Sequence, residues 1–188
     1  MTYKALMIDT ETLSLSPDAV VLQVGLVKME LDAGELLLPP TNIFMSLDEQ
    51  TALGRRADAR TVQWWMSQDP AVAKSVFLTA ESEKHVDRVS IANLRLRLRE
   101  LIDDETTVWA WPSTFDIPLL VNMFGGEGGA PWRYNRVRDL KTLSEALDPD
   151  RQLVPPENTA AHNAAADAEW QMAYLLNLWR HRNKLRGG

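Results

Sequence analysis

The chain has 188 residues, no cysteine, 45% hydrophobic and 24% charged residues, and a formal charge of −6 from 26 acidic and 20 basic side chains. That length suits one domain over 1–188, and no stretch approaches the ~18 consecutive apolar residues of a membrane span. Disulfides and thiolate metal sites are excluded, so a bound metal must take oxygen or imidazole ligands, and a broad basic surface for nucleic acid is not to be expected.

The first residues, Met1 to Ile8, run directly into an acidic motif without the cleavage pattern of a secretory signal. This predicts a structural N-terminus and a cytoplasmic protein with no membrane partner. Residues 3–9 read as a short buried strand, and 19–31 and 35–46 as two strands joined at Asp32-Ala33-Gly34, a turn that suits a hairpin. The pattern then becomes helical: 58–68 carries Val62, Trp65 and Met66, and 84–102 carries Val86, Val89, Leu94, Leu98 and Leu101, at spacings of three and four. Thr106–Trp111 is β-branched and aromatic, 117–124 reads as a helix stopped by Gly125-Gly126, and 139–147 as a short helix ended near Pro149. Asp148–Asn158, with Pro149, Pro155 and Pro156, reads as a loop, expected to be a mobile flap, before a last helix over 163–185. Strands first and βα alternation later indicate a layered α/β fold with a mixed sheet.

Asp9 and Glu11 lie two apart on the first strand, which puts both carboxylates on one face. Such a pair repels itself unless a cation lies between, although alone it also fits an exposed strand end. Asp116, in Thr114-Phe115-Asp116-Ile117-Pro118, follows an apolar strand and opens a helix, where it also fits a charge complementing the helix dipole. In Ala161-His162-Asn163-Ala164-Ala165-Ala166-Asp167-Ala168, small residues around His162 and Asp167 would let the backbone approach another element and leave room for a ligand. His85 and His181 have no comparable setting.

Taken in order, Asp-x-Glu after the first strand, Phe-Asp after a later one and His-x4-Asp opening the last helix resemble the three motifs of the DEDDh family of 3′→5′ exonucleases. The resemblance runs from Met7 to Gln171 and includes Ile8-Asp9-Thr10-Glu11-Thr12. Thr61-Val62-Gln63-Trp64-Trp65 is similar to the Thr-x-x-Trp-Trp element of small phage and bacterial members related to ribonuclease T. The resemblance implies a ribonuclease H-like α/β fold with a mixed five-stranded central sheet flanked by helices. It implies two Mg²⁺ or Mn²⁺ ions held by Asp9, Glu11, Asp116 and Asp167, with His162 as general base. It further implies release of nucleoside monophosphates from the 3′ end of single-stranded or 3′-overhanging RNA or DNA, and it admits a homodimer.

Thr10, Thr12, Trp64, Trp65 and Arg138 are the expected substrate contacts. Neighbouring helical positions point about 100° apart, so one indole can face the core while the other stacks on a base; both could instead anchor the helix. Arg138 could grip a phosphate bidentately, with Asp139 orienting it or capping a helix. Further positive clusters stand at Arg55, Arg56 and Arg60, at Arg133, Arg136 and Lys141, and at Arg180, Arg182, Lys184 and Arg186. The approach Trp109-Ala110-Trp111-Pro112-Ser113 departs from the Asn- or Gly-rich approach of many members. A non-catalytic nucleic-acid-binding module on the same fold, or a phosphodiesterase acting on small nucleotides, would fit many of the same residues.

Overall fold

The computed structural model describes residues 2–77, 88–158 and 162–187. Three strands, β1 (Lys4–Thr12), β2 (Val21–Glu30) and β3 (Glu35–Phe44), form an antiparallel meander. On its other edge β1 pairs in parallel with β4 (Thr106–Ala110), and β4 in parallel with β5 (Val137–Asp139), giving the order β3-β2-β1-β4-β5. The expected mixed five-stranded sheet is therefore present. At the hairpin the Glu30 carboxylate accepts the main-chain N–H groups of Asp32 and Ala33, and Gly34 takes the left-handed backbone, φ 70°, that its missing Cβ permits.

The central β1 is covered on both faces, which is why Ala5–Ile8 is continuously apolar instead of alternating. Leu6 and Ile8 join Val24, Leu26, Leu94, Leu98, Leu119 and Leu120 beneath α4 (Ile91–Leu101) and α5 (Ser113–Met123). Ala5 and Met7 face the other way, against Val27, Leu140, Met172, Leu175 and Leu178 under α6 (Leu140–Leu147) and α7 (Ala164–Gly187). A smaller cluster of Leu22, Trp65 and Val76 ties α2 (Ala59–Ser67) and α3 (Pro70–Phe77) to β2. No helix among the described residues is long and apolar enough to cross a membrane.

Several boundaries differ from the sequence expectation for local reasons. Two short helices, α1 (Leu47–Ala52) and α3, and the three-residue β5 carry too few residues for a periodic signal. Of the helix expected over 84–102, residues 84–87 lie outside the described residues, 88–90 are not helical, and α4 begins at Ile91, capped by the Ser90 hydroxyl. Val89 instead pairs with Met45, exchanging main-chain hydrogen bonds with Phe44 and Ser46. His85 lies outside the described residues. α5 starts at Ser113, upstream of the expected 117, because the Asp139 carboxylate accepts the Ser113 N–H while also capping α6 at Thr142.

The 148–158 loop is fastened along its length, in contrast to the mobile flap expected. Asp148 accepts from Gln152 and Leu153 main chain and from the Tyr174 hydroxyl. Asn177 donates to Leu153 O, and the Trp170 indole to Pro156 O. The anchors belong to the loop itself and to α7, so a proline-rich segment read alone gives no sign of them.

Candidate active site

Asp9 and Glu11 stand near the carboxyl end of β1, on the face covered by α7. Two residues per strand repeat carries Ala5, Met7, Asp9 and Glu11 to that side. The first turn of α7 lies directly over β2: a Cβ built on Gly25, the partner of Asp9 in the sheet, would fall 1.9 Å from Ala164 O. Gly25 and the alanines opening α7 thus let a helix backbone settle on the strand, which brings Asp167 to the Asp9–Glu11 pair. One carboxylate oxygen from each of Asp9, Glu11 and Asp167 lies within 4.8 Å of the others.

Asp116 arrives from the opposite face. It sits in the first turn of α5, just past β4, is 2% exposed, and accepts the Thr10 hydroxyl at 2.6 Å. β1 thus delivers acids near its carboxyl end and β4 one just beyond its own, the usual location for sites in such sheets.

These carboxyls are held above their ordinary range. Burial raises Asp9 well above it, and the charges of Asp116, Glu11 and Asp167 add to the effect. Burial, then Asp167 and Asp116, push Glu11 up to about 8. Asp116 is raised by burial, against the opposing Thr10 hydrogen bond. Asp167 is raised by burial, partly offset by donors from Asn158 at 2.7 Å and the His162 main-chain N–H at 2.9 Å, and by the nearby His162 ring. Clustered acids with too little positive charge among them constitute a cation site or a proton-sharing site.

His162 adopts a left-handed backbone, φ 65°, and its ring meets Trp64 edge-on at 5.0 Å and Trp65 at 6.0 Å between centroids. The two indoles divide their roles as the helical angle predicts. Trp65 is 1% exposed and its Nε1 donates to Thr12 O, whereas Trp64 is 43% exposed. Together with Thr10, Glu11, Thr12, Arg60 and Phe115 they line a groove of about 490 Å³ running up to the acids.

Residues 4–179 match the family described as the 3′-5′ exoribonuclease Rv2179c-like domain. The chain belongs to that family. Among solved structures, Escherichia coli exonuclease I in complex with a dT13 oligonucleotide is similar to this Rv2179c-like domain at a TM-score of 0.67 and 16% identity, covering 98% of this chain and 43% of that one. The zinc-bound form of the E. coli exonuclease I–ssDNA complex gives 0.66 at 16% identity, with 98% and 42% coverage. The complex with a dA16 oligonucleotide gives 0.64 at 17%, with 97% and 42%. The fold is ribonuclease H-like, as in exonuclease I, and the chain spans less than half of that protein's length. No curated protein matches the sequence significantly.

Within the Rv2179c-like domain, Asp9, Glu11, Asp116, Asp167 and His162 are brought together, with Thr10, Thr12, Trp64 and Trp65 beside them. Both threonine hydroxyls are already engaged, Thr10 by Asp116 and Thr12 by Ser14 O. Arg138 is not among them. It projects from β5 into a different cavity, its Nη1 donating to Asn135 and Val137 carbonyls, and Asp139 serves as a helix cap. Of the first arginine cluster, Arg55 is engaged by Ala19 O, Pro17 O and Asn122, and Arg56 by Asp58, which leaves Arg60 as the cation lining the groove.

Three positioning residues escaped the sequence reading. Gln171 donates to Asp9 at 2.7 Å, and its place four residues after Asp167 on one helix face was a usable signal. Gly25, inside an apolar strand, marked a close backbone approach. Asn158 had no signal of its own.

Proposed function

We propose that the chain is a divalent-metal-dependent 3′→5′ exonuclease of the DEDDh type, in the ribonuclease T-like branch, working as one domain on single-stranded 3′ ends. The observation that carries this reading is the convergence of Asp9, Glu11, Asp116 and Asp167 with His162 at one end of a groove lined by an exposed indole. The family's description names RNA, so a 3′ ribonucleotide is the first substrate to test.

The acids fit Mg²⁺ or Mn²⁺. All donors are hard oxygens, the carboxylates are crowded and underneutralised, and Gln171 Oε1, beside the nitrogen that holds Asp9, is buried without a partner among the described residues. Asp9, Glu11, Asp116 and Asp167 would hold two ions, which when bound neutralise charge at the scissile phosphate and acidify the attacking water.

His162 takes a proton from that water as its oxygen attacks phosphorus. The bond from phosphorus to the preceding nucleotide's O3′ breaks, O3′ leaving with the electron pair and taking up a proton from solvent, which releases a nucleoside 5′-monophosphate and a strand shortened by one with a new 3′-OH. Asp167, beside the imidazole, stabilises the cation formed at His162. Thr10 and Gln171 fix the carboxylates of Asp116 and Asp9. Trp64 offers its face to a terminal base, a contact indifferent to sequence, and Arg60 offers its guanidinium to a backbone phosphate.

The test is digestion of 5′-labelled single-stranded RNA and DNA by wild type and Asp9→Ala, each with Mn²⁺, Mg²⁺ or EDTA. The expected result is a ladder shortening from the 3′ end that requires metal and Asp9. Intact strands under every metal, with binding retained, would overturn the reading in favour of a non-catalytic module. Hydrolysis of dinucleotides alone would favour a small-nucleotide phosphodiesterase.

A further inference from the structure

A second cavity, of about 630 Å³, opens at the other end of the sheet. That volume falls within the roughly 300–1,000 Å³ of small-ligand pockets. Tyr3, immediately before β1, lines it about 20 Å from Asp9 at ~3.3 Å per residue, while Trp109 and Arg138, also in its lining, stand in register with Met7, two positions from Asp9 along the strand. None of Asp9, Glu11, Asp116 and Asp167 contributes to its lining, so it is a cavity distinct from the acidic site.

Its walls combine two chemistries. Arg136, Arg138 and Arg182 all line it, and among the described residues none of them has a carboxylate within ion-pair distance. The one acid in the lining, Glu105, is engaged by Lys4 at 3.3 Å and by Thr2. Three guanidiniums facing one neutralised carboxylate, in a chain of net charge −6, form a local surplus of positive charge. Arg136 and Arg138 are two apart across the start of β5, and Arg138 is fixed by its bonds to Asn135 and Val137 carbonyls, which leave Nε and Nη2 as free donors.

The remaining wall is aromatic. Tyr3, 43% exposed, and Trp179 lie 4.6 Å apart between centroids, and the Arg182 guanidinium sits 4.1 Å over the Trp179 ring. Trp109, Leu143 and Leu147 supply an apolar floor. Planar guanidinium and phenol faces accept a stacked base, and paired arginines accept a phosphate through two parallel N–H bonds. An anion alone would need no aromatic wall, and an apolar group alone would leave the charge of three guanidiniums without a counter-charge.

We propose that this cavity binds a nucleotide, with the phosphate on Arg136 and Arg138 and the base against Tyr3 and Arg182. The ligand is either a free nucleoside 5′-monophosphate or one residue of a longer strand, since both present the same base and phosphate. The site does not depend on the reaction proposed above.

Calorimetric titration of the full chain in EDTA, which suppresses metal-mediated binding at the acids, tests the idea with 5′-AMP, adenosine, ribose 5-phosphate and a 12-nucleotide single strand. Saturable binding of AMP is expected, weakened at least ~10-fold by Arg136→Ala/Arg138→Ala and several-fold by Tyr3→Ser, and unchanged by Asp9→Ala. Adenosine and ribose 5-phosphate should each bind more weakly than AMP. If the strand binds more tightly than AMP with the same arginine dependence, the natural ligand is a strand; if not, it is the mononucleotide. Tyr3 and Arg138 are exposed enough that both variants should fold, which their melting curves will verify. The proposal is overturned by absence of AMP and strand binding, by binding that survives the arginine pair but disappears in Asp9→Ala, or by selective binding of an acidic peptide with an aromatic end.

Discussion

The two ends of β1 carry opposite chemistry. At the carboxyl end, Asp9 and Glu11 meet Asp116 and Asp167 in a crowd of buried negative charge. Toward the amino end, three arginines and three aromatic residues surround a cavity with one neutralised acid. A formal charge of −6 describes neither end. What matters for a polyanion is where charge is collected, and the sheet gathers the two collections into different cavities, with Arg138 level with Met7 and two strands away from it.

The contrast can be broken most severely at the acidic end. On the proposed reading Asp9→Ala should lower kcat by on the order of 10³-fold, since it removes one of the carboxylates that would hold the metal ions. A single-turnover assay with Mn²⁺ measures this, and an effect below tenfold would remove Asp9 from the chemistry.

Gly25→Ala attacks the same end through its support. A methyl cannot occupy a point 1.9 Å from Ala164 O, so α7 must lift from β2. The expected cost is about 2–4 kcal/mol, or roughly 5–15 °C in melting temperature, with activity lost as Asp167 moves away.

The two indoles sharpen the comparison because adjacent residues should fail differently. Trp65→Ala should cost ~3–5 kcal/mol of stability by emptying a filled core position. Trp64→Ala should leave the melting curve nearly unchanged and raise KM by an amount equivalent to about 1–3 kcal/mol of lost stacking. Equal effects on stability would assign both rings to the core.

The acids should also make stability depend on pH and metal together. A carboxyl whose folded-state pKa is raised favours the folded state while protonated. That contribution is complete below the ordinary carboxylate range and is lost as pH rises through the raised values, about 8 for Glu11. In EDTA the protein should therefore melt several degrees lower near pH 8.5 than near pH 6. Excess Mn²⁺ should remove the difference by binding the folded state. Differential scanning fluorimetry across pH, with and without metal, is sufficient; a flat profile in EDTA would mean that the acids are neutralised from within the chain.

The acidic end was readable in the sequence because each of its groups sits at a landmark that local periodicity reveals: a strand end, a strand-to-helix turn, and the start of the last helix. The arginine end was not. Arg138 stood beside a helix cap, as expected of Asp139, but its side chain points to the face carrying Trp179 and Arg182, residues more than 40 positions downstream. Only β5, three residues long and paired with β4, fixes that direction. The 148–158 loop was misread for a similar reason, since the side chains of Trp170, Tyr174 and Asn177 that hold it lie outside the segment.

By itself the sequence determined the layered α/β class, the central strand and long final helix, and the set of acids with His162, because these follow from short-range spacing and residue chemistry. Tertiary structure alone decided that α7 could settle on Gly25, that Trp65 is core while Trp64 is exposed, that Arg60 faces the groove, and that Arg138 lines a different cavity. Each of these depends on which surfaces meet when segments far apart in the chain pack, and such pairwise packing leaves no periodic trace in the sequence.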